Sequence, residues 1–140
     1  MLIKYTNKDL DLLARTMRSE ALSEGELGMM MVGNVIINRC IADCYTFKNL
    51  RTIPDVIYQK NQFSGTKNSL FNSKSTTKEK NLAKRVLEGE KFYPASYALW
   101  FYAPKENQSC NNKWYNQELS GKYKNHCFYK PNYNECKNIY

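Results

Sequence analysis

Histidine is almost missing from this chain of 140 residues: His126 stands alone. Catalytic zinc usually takes two or three imidazoles, so most zinc-hydrolase designs are excluded and the lone imidazole argues against a zinc amidase. Arginine is also scarce, 5 residues against 16 lysines. With Asn and Tyr plentiful, that balance fits an AT-rich genome better than an arginine-driven nucleic-acid surface, and no helix-turn-helix or RNP-like signature is present. Long apolar runs are lacking too. Asn34 and Asn38 break the greasiest stretch well short of the roughly 18 residues a membrane-spanning helix needs, so no integral membrane protein is expected. There is no GxSxG, P-loop, GxGxxG or CxxC. The opening MLIKYTNKDLDLLAR reaches charge too early for the apolar core of a secretory leader, and synthesis without Sec export is expected.

What is present suffices for a core. Hydrophobic residues make up 42% of the chain and aromatics 14%, and a chain of this length removes roughly 70% of its unfolded surface from water. One domain over residues 1–140 is expected, with no disordered tail. The net charge of 21 − 13 = +8 would attract an anionic polymer, although lysines by default form a solvated face. The five cysteines, Cys40, Cys44, Cys110, Cys127 and Cys136, are many for a reducing cytosol and odd in number, which leaves the compartment open.

Thr6 and Asp9 form a capping-box start for a helix from about Lys8 to Leu22, with Leu10, Leu13, Ala14, Met17 and Ala21 on one face. Glu20 falls within roughly 20° of Leu13, an acid at the margin of the apolar stripe. Ser23 and Glu26 read as a second capping box, opening a helix through GMMMVGNVIINRC that is apolar on nearly every side and hence central. Asn34 and Asn38, four apart, share one of its faces. Thr52-Ile53-Pro54-Asp55 begins a short helix that ends by about Gln59. Residues 62–75 read as a polar loop, Thr77–Glu88 as a surface helix stopped by Gly89, Tyr97–Tyr102 as a buried strand, and His126–Tyr129 as a second strand beyond a loop carrying Trp114 and Tyr115. Helices followed by aromatic extended pieces predict an α+β fold, mainly helical, with a cleft between the two parts.

The residue types narrow the chemistry further. A Cys–His peptidase would need His126 with Cys44, Cys110 or Cys136, and none of these opens a helix N-terminus that would stabilise a thiolate. Carboxylate chemistry survives. Glu20 held against Leu13, Met17 and aromatic walls would have its anion disfavoured and could donate a proton near neutral pH, unless the positive end of the next helix favours the anion. Otherwise Glu20 is a solvated acid in a last helical turn. Glu24 is a candidate second acid or simply first-turn electrostatics. Asn34 and Asn38 could hold acetamido groups of a sugar or bond backbone in the core. Tyr102, Trp114 and Tyr115 could stack on sugar faces or fill the core. His126 reads as a structural residue before it reads as a base.

Four segments in order carry a resemblance: DLLARTMRSEALSEGELGMMMVGNVIINRC, LRTIPDVIYQKNQFS, ALWFYAPKENQSCNNKWYNQ and KNHCFYKPNYNEC. Together they resemble the SleB/CwlJ cell wall hydrolases, with their EA(R)xxE helix end, VxxNR helix, QF(S) turn and terminal NHxFY. The resemblance implies a lysozyme-like fold acting on the peptidoglycan of the spore cortex during germination, with no cofactor and no metal. It puts the catalytic acid on Glu20 and the second acid of that motif on Glu24. Substrate-binding positions fall on Asn38, Gln62, His126 and Tyr129, beside Tyr102 and Trp114. Ala21-Leu22 departs from the Ala-Arg of SleB-like chains. No leader is expected, consistent with synthesis in the mother cell, deposition at the coat–cortex boundary and a coat protein as tether. Lytic transglycosylation is the expected reaction because a single acid suits it; a muramidase, an amidase or a non-catalytic glycan-binding coat protein are the alternatives.

Overall fold

The first helix is started by its own sequence. In the computed structural model, which describes residues 3–59, 63 and 69–140, the Asp9 N–H donates to the Thr6 hydroxyl at 3.1 Å while the Thr6 N–H donates to the Asp9 carboxylate at 3.0 Å. Helix α1 (Asn7–Ala21) follows and buries Leu10, Leu13, Ala14, Met17 and Ala21. A cap contributes about 1 kcal/mol, whereas each large side chain buried on this face contributes about 1.5–3 kcal/mol. Packing therefore decides the position of α1 and the cap only its start.

Three residues, Leu22–Glu24, form a 3-10 turn before α2 (Gly25–Ile41), in which every residue from Gly28 to Cys40 is buried. A Cβ at Gly33 would lie 3.0 Å from the Met17 sulfur and 3.2 Å from both Val86 methyls, so glycine sets the spacing of α2 to its neighbours. The expected Ser23–Glu26 capping box does not form. Ser23 is exposed in the turn, Glu24 occupies the N-cap without a capping bond, and Gly25 turns the chain at φ +80°. Glu26 pairs with Lys78 at 2.7 Å instead. The N-cap side chain is turned inward to another task, described below.

Helix α3 (Ile53–Ile57) carries the Thr52–Asp55 capping box, its hydroxyl bond at 3.1 Å. Part of the stretch read as a loop is helical: α4 (Ser69–Asn72) precedes α5 (Thr77–Leu87), which buries Leu82, Ala83, Val86 and Leu87 and is left at Gly89, φ +107°. Arg18 fastens these pieces to α1. Only 6% exposed, it donates to the carbonyls of Leu70, Ser73 and Lys74 and to the Glu79 carboxylate at 2.9 Å.

The strand expected over 97–102 shrinks to β1 (Trp100–Tyr102). Its first half is claimed by α2: Asn38 Nδ2 donates to the Ala98 carbonyl at 2.9 Å and Arg39 Nε to the Leu99 carbonyl at 2.7 Å. The region around Trp114 is not a plain loop. It holds β2 (Lys113–Trp114) and β3 (Gln117–Tyr123), joined by a turn in which Tyr115 and Asn116 both have positive φ, and β4 (His126–Lys130) completes the sheet. The sheet is antiparallel in the order β1-β4-β3-β2, with Phe101 opposite Phe128 and Tyr102 opposite Cys127.

Phe128, with Phe101 packed beside it, faces the helices and joins Met31, Val35, Ala95 and Ala98. On the other face Tyr102 stacks on Tyr129 at 5.7 Å between ring centres, and Trp114 lies over both at 4.9 and 5.5 Å. Disulfides pin this half: Cys110–Cys127 ties the loop before β2 to β4, and Cys44–Cys136 ties the segment after α2 to the C-terminal tail. Cys40 is a buried thiol whose pKa burial pushes up to about 12. No cysteine that could serve a Cys–His pair is therefore a reactive thiolate. Among the described residues no helix is long and apolar enough to cross a membrane.

Candidate active site

Two acids stand four residues apart, Glu20 in the last turn of α1 and Glu24 at the N-cap of α2 against the sheet. Glu20, in the last turn of α1, is half-buried. Glu24 is 2% exposed and both of its oxygens face partners in the sheet. One is paired with His126 Nδ1; the other accepts the Asn125 N–H at 3.0 Å. Lys124 Nζ adds a bond to the Glu24 carbonyl at 3.1 Å. The turn into β4 is thereby fastened to the junction of α1 and α2. Gly28 makes room for this arrangement, since a Cβ there would stand 2.5 Å from the Glu24 Cβ.

His126 is 8% exposed and lies edge-on to Phe101 at 5.2 Å. Burial holds its pKa below the ordinary imidazole value, with the Glu24 carboxylate pulling the other way. An imidazole kept neutral in this way donates its Nδ1–H to the carboxylate. A buried carboxylate with two donors stays where they hold it. Glu24 is a strut across the two halves, and His126 is its other end.

Beside this junction a cleft of about 390 Å³ opens along β1. Trp100, Phe101, Trp114 and Tyr115 wall it, and Arg39 and Gln117 supply polar groups. Phe101 lines the cleft and touches His126, so the Glu24–His126 pair and the cleft adjoin through one ring. Arg39 is 3% exposed, sandwiched between Phe47 at 4.8 Å and Phe63 at 5.1 Å, and burial lowers its pKa to about 9. A few directed polar groups among aromatic walls suit an uncharged polar ligand with flat faces, such as a sugar.

Among the described residues expected from sequence to meet sugar, Trp114 and Tyr115 line this cleft. Tyr102 lies beneath Trp114 and supports it. Tyr129 is fully buried, its hydroxyl donating to the Asn111 carbonyl at 2.7 Å. Asn38 is 1% exposed and spends its amide on the carbonyls of Ala95, Ser96 and Ala98, with Lys91 Nζ near its oxygen at 3.4 Å. Asn34 likewise bonds the Glu90 carbonyl and the Phe92 N–H, at 2.8 and 2.9 Å. These asparagines hold the crossing segment 90–99 against α2, because a buried amide on a central helix binds whatever backbone lacks a partner. Gln62 lies outside the described residues. Arg39 was not singled out from sequence; the signal was a charge inside a helix apolar on every side.

A family model described as Cell Wall Hydrolase matches residues 23–129, a span that includes Glu24, Arg39, Trp114 and His126 but stops short of Glu20 and of the tail. The cell wall hydrolase CwlJ of Bacillus subtilis is 42% identical over 138 residues, covering 99% of this chain and 96% of that protein. CwlJ of Oceanobacillus iheyensis is 43% identical over 139 residues, covering 99% and 97%. Among solved structures, the catalytic domain of the germination-specific lytic transglycosylase SleB from Bacillus anthracis superposes with a TM-score of 0.70 at 23% identity, over 90% of this chain and 97% of that one. The catalytic domain of Bacillus cereus SleB gives 0.72 at 22% identity, over 93% and 97%. These two share the lysozyme-like fold with this chain.

Proposed function

The chain belongs to the cell wall hydrolase family, an enzyme that degrades peptidoglycan, and from that premise we propose that it is a lytic transglycosylase with Glu20 as its acid. The observation that carries this is that Glu24, the other acid of the motif, is buried and held by two donors. Hydrolysis of a glycosidic bond generally uses two acids, one to protonate the leaving oxygen and one to act as nucleophile or to activate water. Glu24 is committed to His126 and Asn125, and the sequence resemblance puts the catalytic acid on Glu20, which in this reading carries both proton transfers.

In this mechanism the protonated Glu20 gives its hydrogen to the oxygen between N-acetylmuramic acid and N-acetylglucosamine. The muramic C1–O bond breaks, and the N-acetylglucosamine side leaves with a hydroxyl. The Glu20 carboxylate then takes the proton of the muramic C6 hydroxyl, whose oxygen closes on C1 to form a 1,6-anhydro ring. Glu20 ends protonated, ready for the next bond. Walls such as Trp100 and Trp114 hold the sugars against rotation, which converts ring closure into an intramolecular step.

Zinc amidase chemistry finds no donor set among the described residues: the one histidine is turned to Glu24 and four of the cysteines are in disulfides. The substrate in this reading is the cortex of a spore, reached from the coat–cortex boundary with a coat protein as tether; the sequence resemblance supports that placement. Mass spectrometry of digested cortex tests the reaction. Anhydro-muramyl ends are expected, and reducing ends without anhydro product would make the enzyme a muramidase.

A further inference from the structure

The last eleven residues lie beyond the span matched by the family model, yet they are firmly held. Cys136 is bonded to Cys44, Ile139 is buried, the Asn138 amide donates to the Ile41 carbonyl, and the Tyr140 hydroxyl donates to the Pro131 carbonyl at 2.7 Å. Between this tail and the β2–β3 hairpin lies a second cleft, of about 590 Å³. Tyr45, Tyr115, Tyr133 and Tyr140 present rings to it and are 38%, 79%, 57% and 40% exposed. It is continuous with the cleft along β1, because Tyr115 and Gln117 line both and Tyr45 packs edge-on against Trp100 at 5.2 Å.

Its fixed charges balance. Lys113 and Lys130 each stand opposite Glu118 in the strand register, and Glu135 is hydrogen-bonded to the Tyr45 hydroxyl. A strongly anionic ligand gains nothing from such a lining. Aromatic faces interspersed with hydroxyls, amides and neutralised charges match a ligand whose own rings have apolar faces and hydroxyl rims. We propose that the C-terminal tail builds a glycan-binding subsite that holds uncharged N-acetylhexosamine rings of the strand that the enzyme cleaves. The inference rests on the peptidoglycan reading and adds a second point of grip to it.

The test uses the full chain and a neutral six-sugar oligomer of N-acetylglucosamine as probe, with affinity measured by calorimetry. Tyr133→Ala and Tyr140→Ala are each expected to weaken binding about tenfold. Tyr133 is exposed and its substitution should leave the melting temperature unchanged. No binding to the wild type, or binding that neither substitution alters, overturns the subsite. Release of soluble fragments from sacculi by the wild type is followed in parallel. Binding lost in the variants while the wild type releases nothing would sink the enzymatic reading and leave the subsite standing. Release with tail-independent binding would do the reverse.

Discussion

The helical half and the sheet half of this protein are held together by different physics. In the helices, Leu13, Met17, Val32, Ile36 and Leu87 are buried to within a few per cent, and capping boxes at Thr6, Thr52 and Thr76 start three of the segments. The sheet rests on β-strands of 2 to 7 residues, a disulfide to β4, ring stacking and the asparagines of α2. Burial is non-directional and redundant, so the first half tolerates error in any one bond. The second half depends on a few specific links, and those links shape the cleft.

Deleting core volume in the helical half should have the largest effect. Leu13→Ala is expected to cost about 2–5 kcal/mol, read as a lower midpoint in urea with the slope unchanged. Replacing both Cys110 and Cys127 by serine should cost about 2–4 kcal/mol. Hydrogen exchange should then locate the loss in β3 and β4 while α1 and α2 keep their protection; uniform loss would mean the halves are not separable. Glu24→Gln, which weakens the strut, is expected to cost about 1–3 kcal/mol and to loosen the β3–β4 turn by the same measurement.

A pH titration sharpens the contrast further. The folded pKa of His126 lies below its ordinary 6.5, so the unfolded chain binds the extra proton first. Stability from this group is complete above about pH 6.5 and is lost as pH falls toward the folded value. The melting temperature should drop over that interval, and His126→Gln should flatten the slope there. The smallest effect is expected at the edge of the helical half, where Thr76→Ala removes one cap and costs about 1 kcal/mol in thermal melts.

The same division explains what could be read in the sequence. Apolar spacing of 3 and 4 along Leu10, Leu13, Ala14 and Met17 is a local signal, and α1, α2 and α5 fall within a residue or two of their expected bounds. Ser23 misled because a capping pattern reports what a side chain can do, while Glu24 at that turn is recruited by a residue about a hundred positions away. Strand β3 was missed for two reasons. Its residues QELSGKY do not alternate cleanly, and its turn is Tyr115-Asn116 rather than the Asn-Gly that marks a hairpin. Asn38 was visible as an anomaly, but its partners lie 57 to 60 residues on. Glu20 is half-buried, as its place at the margin of the stripe predicts; that Glu24 is locked to His126 was not legible, because nothing local encodes a contact made through the tertiary fold.

The most direct measurement compares wild type and Glu20→Gln for release of soluble muropeptides from purified peptidoglycan, with melting curves recorded on the same samples. If Glu20 is the proton donor, release falls by at least about a hundredfold while the melting temperature stays that of the wild type. Release by a folded Glu20→Gln within about tenfold of the wild-type rate would contradict it, since loss of the sole general acid has to cost more than that.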